Sequence, residues 1–255
     1  MQPLLELRDC TIRFGGLTAV FNLSQSIYAG ELVGLIGPNG AGKTTVFNII
    51  TGEYKPTLGD VLFHGKSIAH QPPYAITKAG IARTFQNIRL FNSLSAIDNV
   101  IVAYNKNLRT GLLSAIAHTP AEMRDEKRVM DDAMNMLAMF DLTGVKDDFP
   151  GNFPYGIQRR LEIVRALATK PELLLLDEPA AGLNPTEKVE LMQLITKIRE
   201  ELNITVLLID HDMKFVMGMC KRIFVLDYGE KIAEGPPEEI RSNPRVIEAY
   251  LGEQE

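Results

Sequence analysis

The sequence predicts an α/β fold: a mostly parallel sheet with an antiparallel β part, helices on both faces, and a helical subdomain inserted in the chain. Three observations predict it. The runs ELVGLIG (31–37), LLLLDEP (173–179) and TVLLIDH (205–211) are apolar without alternation, as strands covered on both faces are. Helical patterns separate these runs. RIFVLDYGEKIAEG (222–235) reads as a hairpin turning at Tyr228-Gly229, and hairpins at the two ends argue for some antiparallel strands.

The elements are legible in order. ELVGLIG is a strand over 31–36 that runs into a glycine-rich turn, and Thr44–Thr51 follows as a helix. IARTF (81–85) is a short apolar run. From residue 93 to 168 we find helical patterns and no convincing strand. SAIDNVIVAY (95–104) and EKRVMDDAMNMLAMF (126–140) are the clearest, and NKNLRTGLLSAIAHTP between them is loosely patterned. We therefore expect a core of 1–92 and 169–255, with 93–168 inserted. In LNPTEKVELMQLITKIREEL, Asn184 suits an N-cap, Pro185 suits N1, and Glu187 at N3 completes a capping box. Val189, Met192, Ile195 and Ile198 are expected along one face.

Composition narrows the function. The chain has 255 residues, 45% hydrophobic and 23% charged, with a net charge of −5. That is ordinary globular composition without the basic excess of a nucleic-acid binder. Cys10 and Cys220 have no metal or redox spacing and suit a reducing cytosol. MQPLLELRDC does not read as a secretory signal. The most apolar runs are too short to span a bilayer. The chain is expected to be soluble by itself, which leaves peripheral attachment to a membrane protein open.

GPNGAGKT (37–44) fits the phosphate-loop pattern G-x-x-x-x-G-K-[ST]. Its glycines let successive backbone N–H groups face phosphates. Lys43 supplies positive charge to the β- and γ-phosphates, and the Thr44 hydroxyl suits Mg²⁺. The following helix adds its positive dipole end. Strand before and helix after supply the context that the pattern needs. Asp177 ends a strand and would hold Mg²⁺ through water, and Glu178 beside it can polarise a water for attack on the γ-phosphate. Alone the pair would read as solvated strand-end acids; beside the loop it reads as catalytic. His211 follows a third strand on the same sheet edge and can hold the water or bond a γ-phosphate oxygen. Gln86 either ligates Mg²⁺ or water through its amide oxygen, or is a surface polar residue. Spacing alone does not separate the two.

Together these motifs resemble the ATP-binding cassette (ABC) ATPases, over essentially the whole chain. The order is Phe14 in IRFGG, GPNGAGKTT (37–45), RTFQ (83–86), a signature region (153–158), LLLLDEP, AGLN (181–184) and IDH (209–211). The resemblance implies a P-loop NTPase core with an inserted helical subdomain. It implies a head-to-tail dimer with a second ATPase subunit, with ATP and Mg²⁺ between the phosphate loop of one subunit and the signature of the other. Nucleotide would lie on Gly37, Pro38, Asn39, Gly40, Ala41, Gly42, Lys43, Thr44 and Thr45, and in the opposite site on Tyr155 and Gly156. Phe14 looks like the ring that stacks on adenine, where the family more often has Tyr; a core Phe is the plainer reading. Thr44, Gln86 and Asp177 would serve the metal. Glu178, His211 and Gln86 would serve catalysis.

RTFQNIRLFNSLSAIDNV, DEPAAGLNP and GEKIAEGPPEEIRSNPRVIEAYLGE look like the ATPases of branched-chain amino-acid importers. Such subunits sit on the cytoplasmic face of the inner membrane, bound to transmembrane permease subunits through a groove that Asn87–Leu94 would help form. A solute-binding protein takes part indirectly. Other cargoes (urea, amides, a lipid), a non-transport regulator or repair clamp, and an ATP-binding switch with weak hydrolysis are the alternatives.

The signature departs from the family's LSGGQ. The spacing of Arg160 and Arg165 puts its second glycine at Gly156, so the five positions are Phe153, Pro154, Tyr155, Gly156 and Ile157. Pro154 brings neither a hydroxyl nor an N–H where the family has serine. Ile157 replaces an amide. Two outcomes stay open: weaker turnover of the partner's ATP, or tolerance because backbone donors and the helix dipole do most of the work.

Overall fold

The computed structural model describes residues 2–104 and 120–251. Its contacts gather into two units, Met1–Gln86 with Glu172–Glu255, and Asn87–Pro171. The insert expected over 93–168 falls within the second unit. NKNLRTGLLSAIAHTP lies outside the described residues except for Pro120.

The first unit holds two sheets among its described residues. β1 (Leu5–Phe14), β2 (Leu17–Ile27), β4 (Leu58–Phe63) and β5 (Lys66–Ser67) form an antiparallel sheet in the order β2-β1-β4-β5. β3 (Leu32–Ile36), β6 (Ile81–Arg83), β7 (Leu173–Asp177), β8 (Thr205–Ile209), β9 (Arg222–Asp227) and β10 (Glu230–Gly235) form the second, in the order β10-β9-β3-β8-β7-β6. Only the β9–β10 hairpin is antiparallel there. Every residue of β3, β7 and β8 is buried, which is why these strands read as unbroken apolar runs.

Helix α1 (Lys43–Ile50) follows β3 and packs Val46, Phe47 and Ile50 into a core shared by both sheets. α2 (Pro73–Ala79) precedes β6. In the second unit, α3 (Ala96–Tyr104) packs on α5 (Tyr155–Ala168) and on α4 (Pro120–Met139). Asn99 ties the start of α3 down: it is fully buried and its amide donates to the carbonyls of Phe91, Leu94 and Ser95.

α6 (Pro185–Leu202) starts with the expected capping box: Asn184 accepts from the N–H groups of Thr186 and Glu187, and Glu187 accepts from the N–H of Asn184. Its buried stripe is Leu191, Ile195 and Ile198. Val189, expected on that stripe, is 52% exposed. The stripe follows i, i+4, i+7 from Leu191, and Val189 stands two residues, about 200° of helix rotation, away from it. α7 (Met213–Met219), α8 (Pro237–Ser242) and α9 (Pro244–Leu251) complete the first unit. Gly34 lets α7 close on β3: a side-chain carbon there would lie 2.8 Å from Val216.

Candidate active site

Parallel register brings the chemistry to one sheet edge. Leu35 pairs with Ile209, Ile209 with Asp177, and Leu175 with Arg83. The residues that follow these strand ends are the phosphate loop, Glu178, Asp210–His211 and Thr84–Gln86. Parallel strands present their carboxyl ends together, so the edge collects them.

The loop needs its glycines at two places in particular. Gly37 has φ +150° and Gly42 has φ +99°. A side-chain carbon on Gly37 would lie 2.1 Å from the Leu226 carbonyl oxygen, and one on Gly42 would lie 2.6 Å from that of Ala19. The turn between β9 and β10 supports the loop, with the Gly229 N–H donating to the Ala41 carbonyl at 3.0 Å. Lys43 is buried, and its Nζ donates to the carbonyls of Gly37 and Pro38, both at 2.7 Å. The amine is thus held over the loop. Asn39, Gly40 and Thr44 are exposed, Pro38 and Ala41 are buried, and Thr44 and Thr45 stand in the first turn of α1.

Glu178 sits at the end of β7 with φ +47°, a left-handed conformation rare for a side chain of this kind. Its N–H donates to the Ile209 carbonyl at 2.8 Å, which holds the turn. Backbone held in such a region concentrates at functional sites. Gln86 Nε2 donates to Glu178 Oε2 at 2.9 Å, so Gln86 is part of the cluster. His211 is mostly exposed, and its Nδ1 lies 3.7 Å from Glu178 Oε2 and 3.8 Å from Asp210 Oδ1. Those separations are too long for hydrogen bonds.

Asp177 is buried and pairs with Arg83, NH2 to Oδ2 at 2.7 Å. Asp210 is buried too, and it organises both neighbours of the acidic turn. It accepts from the Ala180 N–H at 3.0 Å and from the Asp212 N–H at 2.9 Å. Neither Arg83 nor Asp210 had a role in the sequence reading. The signal for both was a charged residue directly beside an apolar strand. Phe14 is 45% exposed and meets Tyr54 edge-on, ring centroids 5.0 Å apart, so it is not a core Phe.

Tyr155 and Gly156 lie in the second unit, at the start of α5. Pro154 is the N-cap and contributes no side-chain cap, but its carbonyl accepts from Ile157 and Gln158. Gln158 Nε2 donates to the Phe153 carbonyl at 2.8 Å. The Tyr155 hydroxyl accepts from Arg159 NH2 at 2.9 Å, and Arg159 NH1 bonds Glu162 at 2.7 Å. Glu162 in turn accepts from the Arg89 N–H at 3.2 Å. Arg159 and Glu162 are buried, a pair that the sequence did not reveal.

A phosphate loop, a lysine held over it and a glutamate at the end of another strand of the same sheet define a nucleoside-triphosphate hydrolase. The chain belongs to the ABC transporter family, as one of its ATP-hydrolysing subunits: the family model described as "ABC transporter" matches residues 20–181. A second model, "Branched-chain amino acid ATP-binding cassette transporter", matches residues 230–255. The chain is 49% identical over 99% of each chain to the high-affinity branched-chain amino acid transport ATP-binding protein LivG of Escherichia coli (strain K12). It is 48% identical over 99% of each to BraF of Pseudomonas aeruginosa, which bears the same description. Among solved structures, the ADP conformation of MJ1267, an ATP-binding cassette of an ABC transporter, matches 99% of this chain and all of that one. The TM-score is 0.84 and the identity 28%.

Proposed function

We propose that this chain hydrolyses ATP to power a membrane importer of branched-chain amino acids. The observation that carries the mechanism is the Gln86–Glu178 bond beside the phosphate loop, a base held by an amide at the sheet edge. Glu178 takes a proton from a water whose oxygen attacks the γ-phosphorus. The bond to the bridging oxygen breaks, and ADP and phosphate leave. Gln86 aligns Glu178 and the water, and His211 closes onto the γ-phosphate side. Lys43 leaves the carbonyls of Gly37 and Pro38 for phosphate oxygens. Phe14 offers an exposed ring face to adenine.

The residues fit a divalent cation: a buried aspartate, a helix-start hydroxyl and an amide oxygen are hard oxygen donors. Thr44, Asp177 and Gln86 would hold Mg²⁺, which would neutralise charge developing on the phosphates. Among the described residues no helix is long and apolar enough to cross a membrane. In this reading the coupling runs through docking: the chain sits peripherally on the cytoplasmic face of the membrane, on permease subunits, and pairs with a second ATPase subunit. A solute-binding protein delivers the cargo on the far side.

The uptake test uses the complex of this chain with its permease and solute-binding protein in vesicles loaded with ATP. Labelled leucine should accumulate, and Glu178→Gln should abolish accumulation. Uptake of urea, an amide or a lipid in place of leucine would sink the cargo assignment.

If backbone donors do not make up for Pro154, the two ATP sites are unequal in a heterodimer whose partner keeps an intact signature, since this chain's signature would serve the partner's ATP. Losing one hydrogen bond to a charged group would slow that site about tenfold to a hundredfold. Glu178→Gln here should stop most turnover, and the matching change in the partner should stop less. Equal losses would end the asymmetry idea.

A further inference from the structure

Arg83 stands where three elements of the site meet. It ends β6, three residues before Gln86. Its NH2 bonds Asp177 Oδ2 at 2.7 Å, and its NH1 bonds Asn48 Oδ1 at 2.6 Å. Thr51 Oγ1 is 3.4 Å from the same NH1. Asn48 and Thr51 follow Thr44 at i+4 and i+7, so the three share one face of α1. The Arg83 side chain is only 6% exposed, and its guanidinium carbon lies over the rings of Phe47 and Phe85, at 5.4 and 5.1 Å from their centroids.

We propose that Arg83 is the positioning residue of the metal site: it fixes the Asp177 carboxylate relative to the Thr44 face of α1. This rests on the Mg²⁺ assignment made above. Arg83 commits Oδ2 and leaves Oδ1 to the cation's water. A planar fork can hold a carboxylate on one nitrogen and an amide on another, and the two aromatic rings keep the fork in its plane. A lysine has a single ammonium on a flexible stem and cannot span both partners in that geometry. The hydrogen bonds of Arg83 run to Asp177 and Asn48, on the side of the site that serves the metal, so nucleotide binding without metal should not depend on it.

The test separates metal from nucleotide. In EDTA, a fluorescent ATP analogue reports nucleotide affinity. Mn²⁺ titrated into the full chain with a non-hydrolysable ATP analogue, followed by the electron-spin signal of free Mn²⁺, reports metal affinity. Wild type that binds nucleotide but no Mn²⁺ overturns the metal assignment, and the positioning role with it. For Arg83→Lys the expected result is Mn²⁺ affinity weaker by about tenfold or more, the equivalent of one lost charge-assisted bond, with nucleotide affinity in EDTA within about twofold. Wild-type Mn²⁺ affinity in that variant, or equal losses of metal and nucleotide affinity, overturns the proposal. Asn48→Ala leaves the buried charge pair whole and answers the question if the lysine variant does not fold. Weaker Mn²⁺ binding with unchanged nucleotide binding supports the role, and unchanged Mn²⁺ binding overturns it.

Discussion

Gln86 Nε2 donates to Glu178 Oε2 at 2.9 Å, across the gap between the β6 and β7 ends. One oxygen of the carboxylate that we propose as the base is thereby fixed by a side chain on the last residue of the first unit's opening segment. Gln86→Ala frees that oxygen and lets the carboxylate rotate. Its kcat should fall about tenfold to a hundredfold, the worth of one hydrogen bond to a charged group, while ATP affinity measured in EDTA, where the cation plays no part, stays within about twofold. Steady-state hydrolysis beside nucleotide titration checks it; a matching fall in affinity would mean that Gln86 acts in binding.

Arg159 and Glu162 are a buried ion pair on the signature helix, and Arg159 also holds the Tyr155 hydroxyl. Arg159→Met leaves Glu162 as a buried charge without that partner and should cost about 3–5 kcal/mol. Arg159→Met with Glu162→Leu should recover much of the loss, because two apolar side chains can fill the same space. Urea unfolding of both variants decides; a double variant no more stable than the single one would show that the charges themselves hold the helix.

Asp212 caps α7 by accepting from the Phe215 N–H, and it pairs with Lys188 at 2.6 Å. The Lys188 hydrogen bond, against a smaller cost of burial, holds its carboxyl below the ordinary value of 3.8. A lowered carboxyl stabilises the fold at every pH above that ordinary value, and the contribution fades as pH drops through the folded value. Asp212→Asn keeps a capping oxygen and loses the charge. Its melting temperature should lie below wild type at neutral pH, and the gap should narrow only at strongly acidic pH. A gap that stays constant down to pH 3 would remove the ion pair from the account.

Cys10 and Cys220 are both buried. Burial pushes the Cys10 thiol up to about 11, and it pushes Cys220 up further. At pH 8 only about one Cys10 in a thousand would be a thiolate, the reactive form. Labelling by a disulfide reagent should be slow on the native chain and fast in denaturant. Rapid native labelling would show that one of these sites opens.

Much of this architecture was legible before any coordinates. β3, β7 and β8 announced themselves because burial on both faces leaves no room for alternation. The capping box at Asn184 was readable because a cap is local chemistry, settled within four residues. Val189 misled because an apolar residue two positions off a stripe satisfies a loose periodicity without sharing the face. Arg83, Arg159 and Asn99 were hidden for a different reason. A buried polar side chain needs partners from elsewhere in the chain, and spacing names no partners. Arg159 and Arg160 make the point side by side: the first is fully buried, whereas the second keeps a quarter of its side chain in solvent.

The place of β3 in its sheet also has a consequence for synthesis. It lies between β8 and β9, strands encoded near the other end of the chain. A ribosome releases β3, the phosphate loop and α1 early. Through most of translation that central strand has neither neighbour, and the Leu226 and Gly229 backbone that frames the loop does not yet exist. The nascent protein thus carries an unpaired apolar strand until β8 and β9 emerge. The phosphate loop gains its full frame only once the β9–β10 turn has been made.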